Sequence, residues 1–366
     1  MVVSIASHAI APAVVLRGDG AWTSALPKIV DLCNRPAVLG RSPSTALLRH
    51  QLLQDLAMSS LDPLSVELDH DCCELDLQRL VLEASDCDAV LASGGGKVLD
   101  AGKLLAQRLG LPCITVPLSA ATCAGWTALS NIYSPEGAFQ GDVELSRCPD
   151  LLVFEHAFVR QAPPRSLASG IADALAKWYE ASVSSGDSSD GLVQQAVQMA
   201  RVLRDQLLID GHQAMQDCHS AAWARTAEAC ALTAGVMGGL GGARCRTVAA
   251  HAVHNGLTQL QACHHVLHGE KVGFGILVQL RLEERLGANR LAAQAHRQLL
   301  TLLKDLSLPV CLEDLGLAAV SLSDLKQVCD FACRDGSDLH RLPFPVTSGA
   351  LLEAMVGASH PSPLLS

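Results

Sequence analysis

Short apolar runs alternate with stretches of helical periodicity through about the first 155 residues of the chain. The runs are rich in Val, Ile, Leu and Ala, which is typical of parallel strands buried on both faces. Between them, apolar residues recur at the spacing of helices that pack on a sheet, so we predict a mostly parallel sheet covered on both faces. The predicted strands are residues 13–16, 37–39, 66–68, 89–92, 114–116 and 151–154, and the predicted helices are residues 22–32, 44–57, 75–84 and 98–109.

The pattern changes after Pro163 and Pro164. From Ser166 onward the apolar spacing is helical, and the sequence shows no convincing strand alternation. A polar stretch at residues 182–190 predicts a loop between two of these helices. We therefore predict a nucleotide-binding α/β domain at residues 1–160 and an all-helical domain at residues 161–366, with the active site in the cleft between them.

Three consecutive glycines, Gly94, Gly95 and Gly96, stand between a predicted strand and a predicted helix, and Lys97 and Asp100 follow them. Glycines at such a turn let the backbone approach a pyrophosphate, and the N-terminus of the next helix offers unpaired N–H groups to the anion. The arrangement predicts a nucleotide cofactor. Taken alone, a glycine triplet also fits a tight turn without a ligand.

A second cluster of reactive side chains lies at residues 251–268, where five of the 14 histidines fall within 18 residues. Neutral imidazole is a common metal ligand and titrates near neutral pH. Clustered histidines also occur in hydrogen-bonded cores and solvated loops, so the cluster alone leaves a metal site and a structural role open. Asp173 lies in an apolar helical run, where an unpaired carboxylate would be costly, and this favours a ligand role for it.

The composition narrows the possible partners. A net charge of -10, with only 27 Lys and Arg residues, argues against nucleic acid as a main partner. No apolar stretch has the roughly 18 residues of a membrane span, and residues 1–11 lack the basic start of a signal peptide. The 14 cysteines are scattered without a CxxC pair, as expected of reduced, buried thiols. We therefore expect a cytoplasmic protein with no membrane or nucleic-acid partner.

Four segments occur in order along the chain: GGGKxxDxxK from Gly94, GIxDALAxWxEA from Gly170, HAVHNGLT from His251 and HGEKVxFG from His268. Together they resemble the iron-containing alcohol dehydrogenase superfamily, in its glycerol dehydrogenase-like branch, from about residue 90 to residue 280. The resemblance implies a Rossmann-like N-terminal domain with a mostly parallel sheet and an all-α C-terminal domain, the dehydroquinate synthase-like fold. It also implies a homo-oligomeric, metal-dependent NAD(P) oxidoreductase that interconverts a small secondary alcohol and its ketone by hydride transfer.

The resemblance assigns the metal to Asp173, His251 and His268, with zinc expected and iron as the alternative. One carboxylate and two imidazoles leave positions on the ion for substrate oxygen and water. We expect Asp173 also to contact the substrate, and we expect His254, one turn beyond His251, either to relay the released proton or to pack. The implied cofactor residues are Gly94, Gly95, Gly96 and Lys97, with Asp100 at the ribose, then Leu118, Ser119, Ala120 and Ala121 beside the phosphates and adenosine, and Thr127, Leu129 and Tyr133 on the nicotinamide side.

Two positions depart from the glycerol dehydrogenase pattern. After the second strand, where those enzymes carry an aspartate for the adenine ribose, the chain has Arg41. A guanidinium attracts a 2′-phosphate that an aspartate would repel, so we expect NADP(H) in preference to NAD(H). Where those enzymes carry an aspartate for a substrate hydroxyl, the chain has Cys123, a weak and uncharged donor. A 2-oxo acid or a less hydroxylated ketone therefore stays open as the substrate besides glycerol.

Two other functions remain open on the sequence alone. A lyase similar to 3-dehydroquinate synthase would share the architecture, the nicotinamide and the metal, but it needs many basic residues to hold a phosphate and a carboxylate. The segments of the metal site offer mainly Lys177, Arg244, Arg246 and Lys271. A cofactor-binding protein that has lost its metal is disfavoured, because all three ligand positions are filled.

Overall fold

A computed structural model of the chain describes residues 7–360. The expectation that residues 1–11 are not a signal peptide therefore falls partly outside the described residues. The chain divides into two compact units. The first unit comprises residues 1–136, 140–162 and 231–242, and the second comprises residues 137–139, 163–230 and 243–366. Residues 231–242 were expected in the helical domain, but they belong to the first unit because Gly235 lies against Trp126 and Gly239 against Ile10, where no Cβ would fit.

The first unit contains a six-stranded parallel sheet in the order β1-β8-β5-β4-β2-β3 and a separate two-stranded ribbon, β6–β7. Its strands are β1 (Val14–Gly18), β2 (Pro36–Gly40), β3 (Leu64–Glu67), β4 (Ala89–Gly94), β5 (Cys113–Pro117), β6 (Leu129–Tyr133), β7 (Phe139–Glu144) and β8 (Leu151–Glu155), and its helices are α1 (Ala21–Leu32), α2 (Ala46–Met58), α3 (Glu74–Glu83), α4 (Gly96–Leu109) and α5 (His156–Val159). All six predicted strands and the predicted parallel, doubly covered sheet are confirmed.

Alternate residues of the strands enter two different cores. Val38 and Leu91 pack on one face of the sheet with Ile29 of α1 and Leu52 of α2. The next residues along the same strands, such as Leu39 and Val90, point to the other face. There they pack with Leu77 of α3 and Leu105 of α4. Both faces are therefore apolar, which explains why the central strands have continuous apolar sequences.

The sequence analysis missed the ribbon of β6 and β7. Its strands are only partly buried, so their apolar pattern is weaker than that of the central strands. A turn signal was nevertheless present, because Ser134, Pro135 and Gly137 lie between the strands and Gly137 has a φ of 94°, in the left-handed region.

The remaining helices are α6 (Pro164–Ser185), α7 (Gly191–Gln216), α8 (Ala221–Glu228), α9 (Ala234–Arg246), α10 (Ala249–Leu257), α11 (His268–Arg285), α12 (Arg290–Asp305), α13 (Leu322–Ala332) and α14 (Ser348–Val356). Most of α9 belongs to the first unit, and the others belong to the second. The second unit is helical, as predicted. Helix α11 is its central helix, because almost every residue from Gly269 to Glu283 is buried. Helix α6 runs into the stretch predicted as a loop, since Ala181 is buried and the Ser184 hydroxyl donates to the Glu180 carbonyl.

All 14 cysteines are free thiols, and most of them are buried. Within residues 7–360, no helix has both the length and the hydropathy of a membrane span.

Candidate metal and cofactor sites

Three helices of the second unit bring Asp173, His251 and His268 together. Asp173 lies on α6, His251 on α10, and His268 is the first residue of α11. Asp173 Oδ1 is 3.3 Å from His251 Nε2 and 3.5 Å from His268 Nε2, and the three donor atoms all lie within 4.8 Å of one another. Bonds of about 2.0–2.2 Å around a tetrahedral ion would separate its donors by roughly 3.3–3.5 Å. The donor set and its spacing fit one divalent ion.

Glycines of α11 allow this convergence. A side chain at Gly269 would overlap the Ser169 carbonyl of α6, and the Gly269 N–H donates to the Ser169 hydroxyl at 3.1 Å. One turn and a half further on, Gly275 lies directly against the backbone of Ala250 on α10. The HGEKVxFG segment therefore contains glycines because α11 must approach both of the other helices closely.

Glu180 is a buried carboxylate beside the three candidate ligands, and the sequence analysis did not assign it a role. It is completely buried on α6, and its Oε2 lies 2.6 Å from His251 Nδ1. Its Oε1 accepts hydrogen bonds from the N–H groups of Val248 (2.7 Å) and His251 (3.0 Å). A carboxylate on the second ring nitrogen orients a metal-binding imidazole and directs its Nε2 toward the ion. Since Asp173, Lys177 and Glu180 are spaced i, i+4 and i+7 on one helical face, a sequence signal for this role did exist.

The electrostatics of the site favour a bound cation. Burial alone would raise the pKa of the Asp173 carboxyl, but Lys177, His251 and His268 hold it well below its usual value. Lys177 Nζ lies 3.4 Å from Asp173 Oδ1. Burial disfavours a charged His251, but the Glu180 carboxylate outweighs it and raises the pKa of His251 to about 9. A metal ion must therefore displace a proton from His251, so binding weakens as the pH falls.

His254, the predicted proton relay, lies on α10 with its ring centroid 4.2 Å from that of His268. Its Nδ1 is 2.9 Å from the Asn255 side-chain oxygen, and only 2% of the residue is exposed. Burial, followed by His268 and Lys271, lowers the pKa of His254 well below its usual value. The imidazole is thus neutral, and its role in proton transfer stays a prediction.

Two of the four basic residues that a lyase could use, Lys177 and Lys271, make contacts within the second unit. Lys271 is buried, and its ammonium donates to the carbonyls of Cys263 (3.2 Å) and Val266 (2.8 Å), which closes the turn before α11. Lys177 faces Asp173. Neither cation is therefore available to hold a substrate phosphate.

In the first unit, the three glycines form the turn between β4 and α4, with Gly94 ending the strand and Gly96 beginning the helix. A Cβ at Gly94 would lie 2.7 Å from Val98 Cβ, and one at Gly96 would lie 2.9 Å from Thr122 Oγ1. At Gly95 the nearest atom, Ser119 Oγ, is 4.0 Å away. The space over Gly95 is open toward the start of α4, as a phosphate site requires. This cradle fits the predicted dinucleotide.

Asp100, predicted at the ribose, lies in a buried ion pair with Lys103, with Oδ1 and Nζ 3.1 Å apart. Its Oδ2 accepts from the Asn131 N–H at 3.3 Å. Lys103 also donates to the carbonyls of Thr127, at 3.0 Å, and Leu129. Both groups thus hold the segment that carries the predicted nicotinamide residues, and a ribose contact by Asp100 stays a prediction.

Arg41 follows β2, and Lys97 lies in the first turn of α4. Both pair with Asp71, which is 7% exposed: the Arg41 guanidinium binds one carboxylate oxygen and the Lys97 ammonium the other. Burial alone would raise the pKa of Asp71, but the two cations lower it. Lys97 also lies 5.0 Å from the centre of the Tyr133 ring. Asp71, which the sequence analysis did not consider, therefore offsets part of the charge that Arg41 would offer to a phosphate.

The predicted phosphate residues Leu118, Ser119, Ala120 and Ala121 follow β5 directly, and the Leu118 N–H donates to the Gly94 carbonyl at 3.0 Å. Cys123 lies further along this loop and is partly exposed. The loop is held by Thr115, whose hydroxyl donates to the Gly125 carbonyl at 2.8 Å. The turn at Gly94–Gly96 and the loop of residues 118–127 are thus adjacent in the first unit.

Comparison with known proteins bears on the family to which the chain is related. The sequence profile of the family described as iron-containing alcohol dehydrogenase matches residues 12–156. An oxidoreductase of Synechocystis sp. is 51% identical over 96% of this chain and 91% of its own length. A glycerol dehydrogenase of Pseudomonas putida is 36% identical, covering 82% of this chain and 84% of the relative.

Two further relatives extend the comparison. Hydroxycarboxylate dehydrogenase A of Escherichia coli K12 is 36% identical over 77% of this chain and 78% of its own length. The crystal structure of a probable glycerol dehydrogenase from Sinorhizobium meliloti 1021 superimposes with a TM-score of 0.84 at 28% identity, over 96% of this chain and 98% of that one.

Proposed function

Because the chain belongs to the iron-containing alcohol dehydrogenase family, in its glycerol dehydrogenase-like branch, we propose that Asp173, His251 and His268 hold its catalytic metal ion. The chain is an NAD(P)-linked oxidoreductase of polyols or hydroxy acids. The observation that carries the proposal is the cluster of one carboxylate and two imidazoles at the spacing of a single ion. We favour zinc over iron as the metal, and a cytoplasmic homo-oligomer as the state of the enzyme.

When bound, the ion would act as a Lewis acid on the oxygen of the alcohol or ketone, and the nicotinamide would accept or return the hydride. The chain's own residues position these groups. Glu180 fixes the orientation of His251, and Lys177 keeps Asp173 ionised. In the first unit, Gly95 and the start of α4 would receive the pyrophosphate, while Lys103 holds the backbone of Thr127 and Leu129. Proton transfer by His254 is proposed on its contact with His268.

We propose a 2-oxo acid, or the corresponding 2-hydroxy acid, as the substrate in preference to glycerol. The support is Cys123, which replaces a carboxylate of the resembled enzymes by a neutral thiol and so removes a charge that would repel a carboxylate substrate. The similarity to a hydroxycarboxylate dehydrogenase favours the same class. A panel of polyols and 2-oxo acids, run with each nicotinamide cofactor, tests the choice directly.

Cys123→Asp should improve turnover of polyols and depress turnover of 2-oxo acids. A polyol hydroxyl would gain a charge-assisted partner worth roughly 1–2 kcal/mol, or about tenfold in kcat/KM, while a carboxylate substrate would be repelled. Cys123→Ser is the matched control, because it changes the side chain without adding charge and should leave the ratio near that of wild type. If wild type oxidises glycerol efficiently and Cys123→Asp changes neither substrate set, glycerol is the better assignment.

We propose NADP(H) as the preferred cofactor on the strength of Arg41. Arg41→Asp should shift the preference toward NAD(H) by about 1–3 kcal/mol, or roughly 5- to 150-fold in the ratio of the two kcat/KM values. Arg35→Asp makes the same charge change at the opposite end of β2, where Arg35 pairs with Asp62, and should leave the ratio unchanged. An equal ratio in Arg41→Asp and wild type would show that Arg41 does not contact the cofactor.

A further inference from the structure

A second group of metal-ligating side chains lies in the first unit, outside both sites described above. His70, Cys73 and Asp76 stand three residues apart in the segment that leads from β3 into α3. One donor atom of each lies within 4.8 Å of the others, and His70 Nδ1 is 3.0 Å from Asp76 Oδ1. Within residues 7–360, this group and the Asp173 cluster are the two that have such a geometry.

Hydrogen bonds from the backbone of the preceding loop account for the position of Asp76, but nothing comparable accounts for the cysteine. Asp76 Oδ2 accepts hydrogen bonds from the N–H groups of Asp69 and His70, both at 2.8 Å, which leaves Oδ1 directed at the His70 ring. Cys73 precedes the first residue of α3, yet its side chain does not cap the helix. The residue is 1% exposed, and the hydrogen bonds found among residues 7–360 include none to its thiol. A buried sulfur is thus placed beside an imidazole and a carboxylate without a polar contact that explains it.

From this juxtaposition we propose that the first unit binds a second divalent ion of the zinc or cobalt type through His70, Cys73 and Asp76. Tetrahedral bonds of about 2.0–2.3 Å would place neighbouring donors roughly 3.3–3.7 Å apart. The ring of His70 therefore needs to move only a few tenths of an ångström from Asp76. Cys73 binds as a thiolate and releases its proton to solvent, while His70 binds through its neutral ring. The fourth position is left to water, and thiolate selects such ions over Mg²⁺ and Ca²⁺.

The ion would stabilise a turn that matters to the cofactor. Asp71 lies between two of the ligands, and its carboxylate pairs with Arg41 and Lys97. The Asp76 carboxylate also holds this turn, because it accepts hydrogen bonds from the N–H groups of Asp69 and His70. The second ion therefore fixes the backbone that presents Asp71.

Cobalt distinguishes the two sites, because the Asp173 cluster contains no sulfur. The full-length protein is expressed with cobalt in the medium, freed of excess metal by gel filtration, and examined by near-ultraviolet absorption and elemental analysis. Wild type should show a thiolate-to-cobalt charge-transfer band. Cys73→Ser should lose that band and one cobalt per chain, whereas His268→Ala should lose one cobalt and keep the band. Cys72→Ser, which alters the neighbouring buried cysteine, should match wild type.

His70→Gln provides a second test if Cys73→Ser does not fold, since it replaces a partly exposed ring and should also weaken the band. Absence of the band from wild type overturns the proposal. A band that persists in Cys73→Ser overturns it as well, because the sulfur would then come from another cysteine. A band that is unaffected by His70→Gln overturns it because His70 would then not be a ligand. Either result would leave the catalytic assignment untouched.

Discussion

Asp173→Asn, His251→Ala and His268→Ala should each lower kcat/KM by about a thousandfold or more and reduce the metal held at the catalytic site. The loss follows because an ion at this site supplies several kcal/mol of charge stabilisation in the transition state, and each ~1.4 kcal/mol corresponds to a factor of ten in rate. Asp173→Asn also removes the negative charge that faces the Lys177 ammonium, whose Nζ lies 3.4 Å from Asp173 Oδ1. The measurement is NAD(P)H-linked turnover together with elemental analysis of the same samples.

His265→Ala is the control for the histidine variants. His265 lies in the same histidine-rich stretch of residues 251–268 but has no place in the ligand cluster. It should retain its metal and most of its activity. Wild-type turnover in any one of the three ligand variants would show that the replaced residue is not a ligand of the catalytic metal.

Glu180→Gln should weaken metal binding by about 10- to 100-fold, the usual cost of losing a partner that orients a ligand. The amide is nearly isosteric and can still accept from Val248 and His251 N–H, so the change is confined to the charge 2.6 Å from His251 Nδ1. Without that charge the His251 imidazole is less basic and binds the metal ion more weakly. Competition with a chelator of known affinity gives the dissociation constant.

Glu283→Gln tests whether any buried glutamate would behave in the same way. Glu283 lies on α11, where it accepts hydrogen bonds from Gln279 (2.9 Å) and Asn289 (3.0 Å). Its replacement should leave metal affinity unchanged. Equal chelator curves for Glu180→Gln and wild type would show that Glu180 has only a structural role.

The sheet could be predicted from the sequence because both of its faces are covered. Strands such as β4 are buried at every position and begin with a continuous apolar run, so they stand out from the helices around them. The ribbon could not be found in this way, since β7 alternates buried and exposed residues without a long apolar run. The position of residues 231–242 depends on contacts with Trp126 and Ile10, more than a hundred residues earlier in the chain.

The proposed metal ligands could be named because they lie in motifs of a known family. Glu180 lies in one of these motifs as well, but the motif does not reveal which side chain it contacts. Glu180 and His251 are 71 residues apart, and only the packing of α6 on α10 brings them together. Asp71 was missed for the same reason, because it follows β3 whereas its partner Arg41 follows β2. Side-chain pairs between distant elements are set by tertiary packing, which local patterns do not contain.

Removal and return of the metal tests the central claim most directly. The purified protein is stripped with a chelator, and hydride transfer between NAD(P)H and a 2-oxo acid is followed as zinc or ferrous iron is added back. The account predicts that turnover is lost on stripping and returns as one ion per chain binds, in wild type but not in Asp173→Asn. Full turnover in a sample shown by elemental analysis to be free of metal would contradict it.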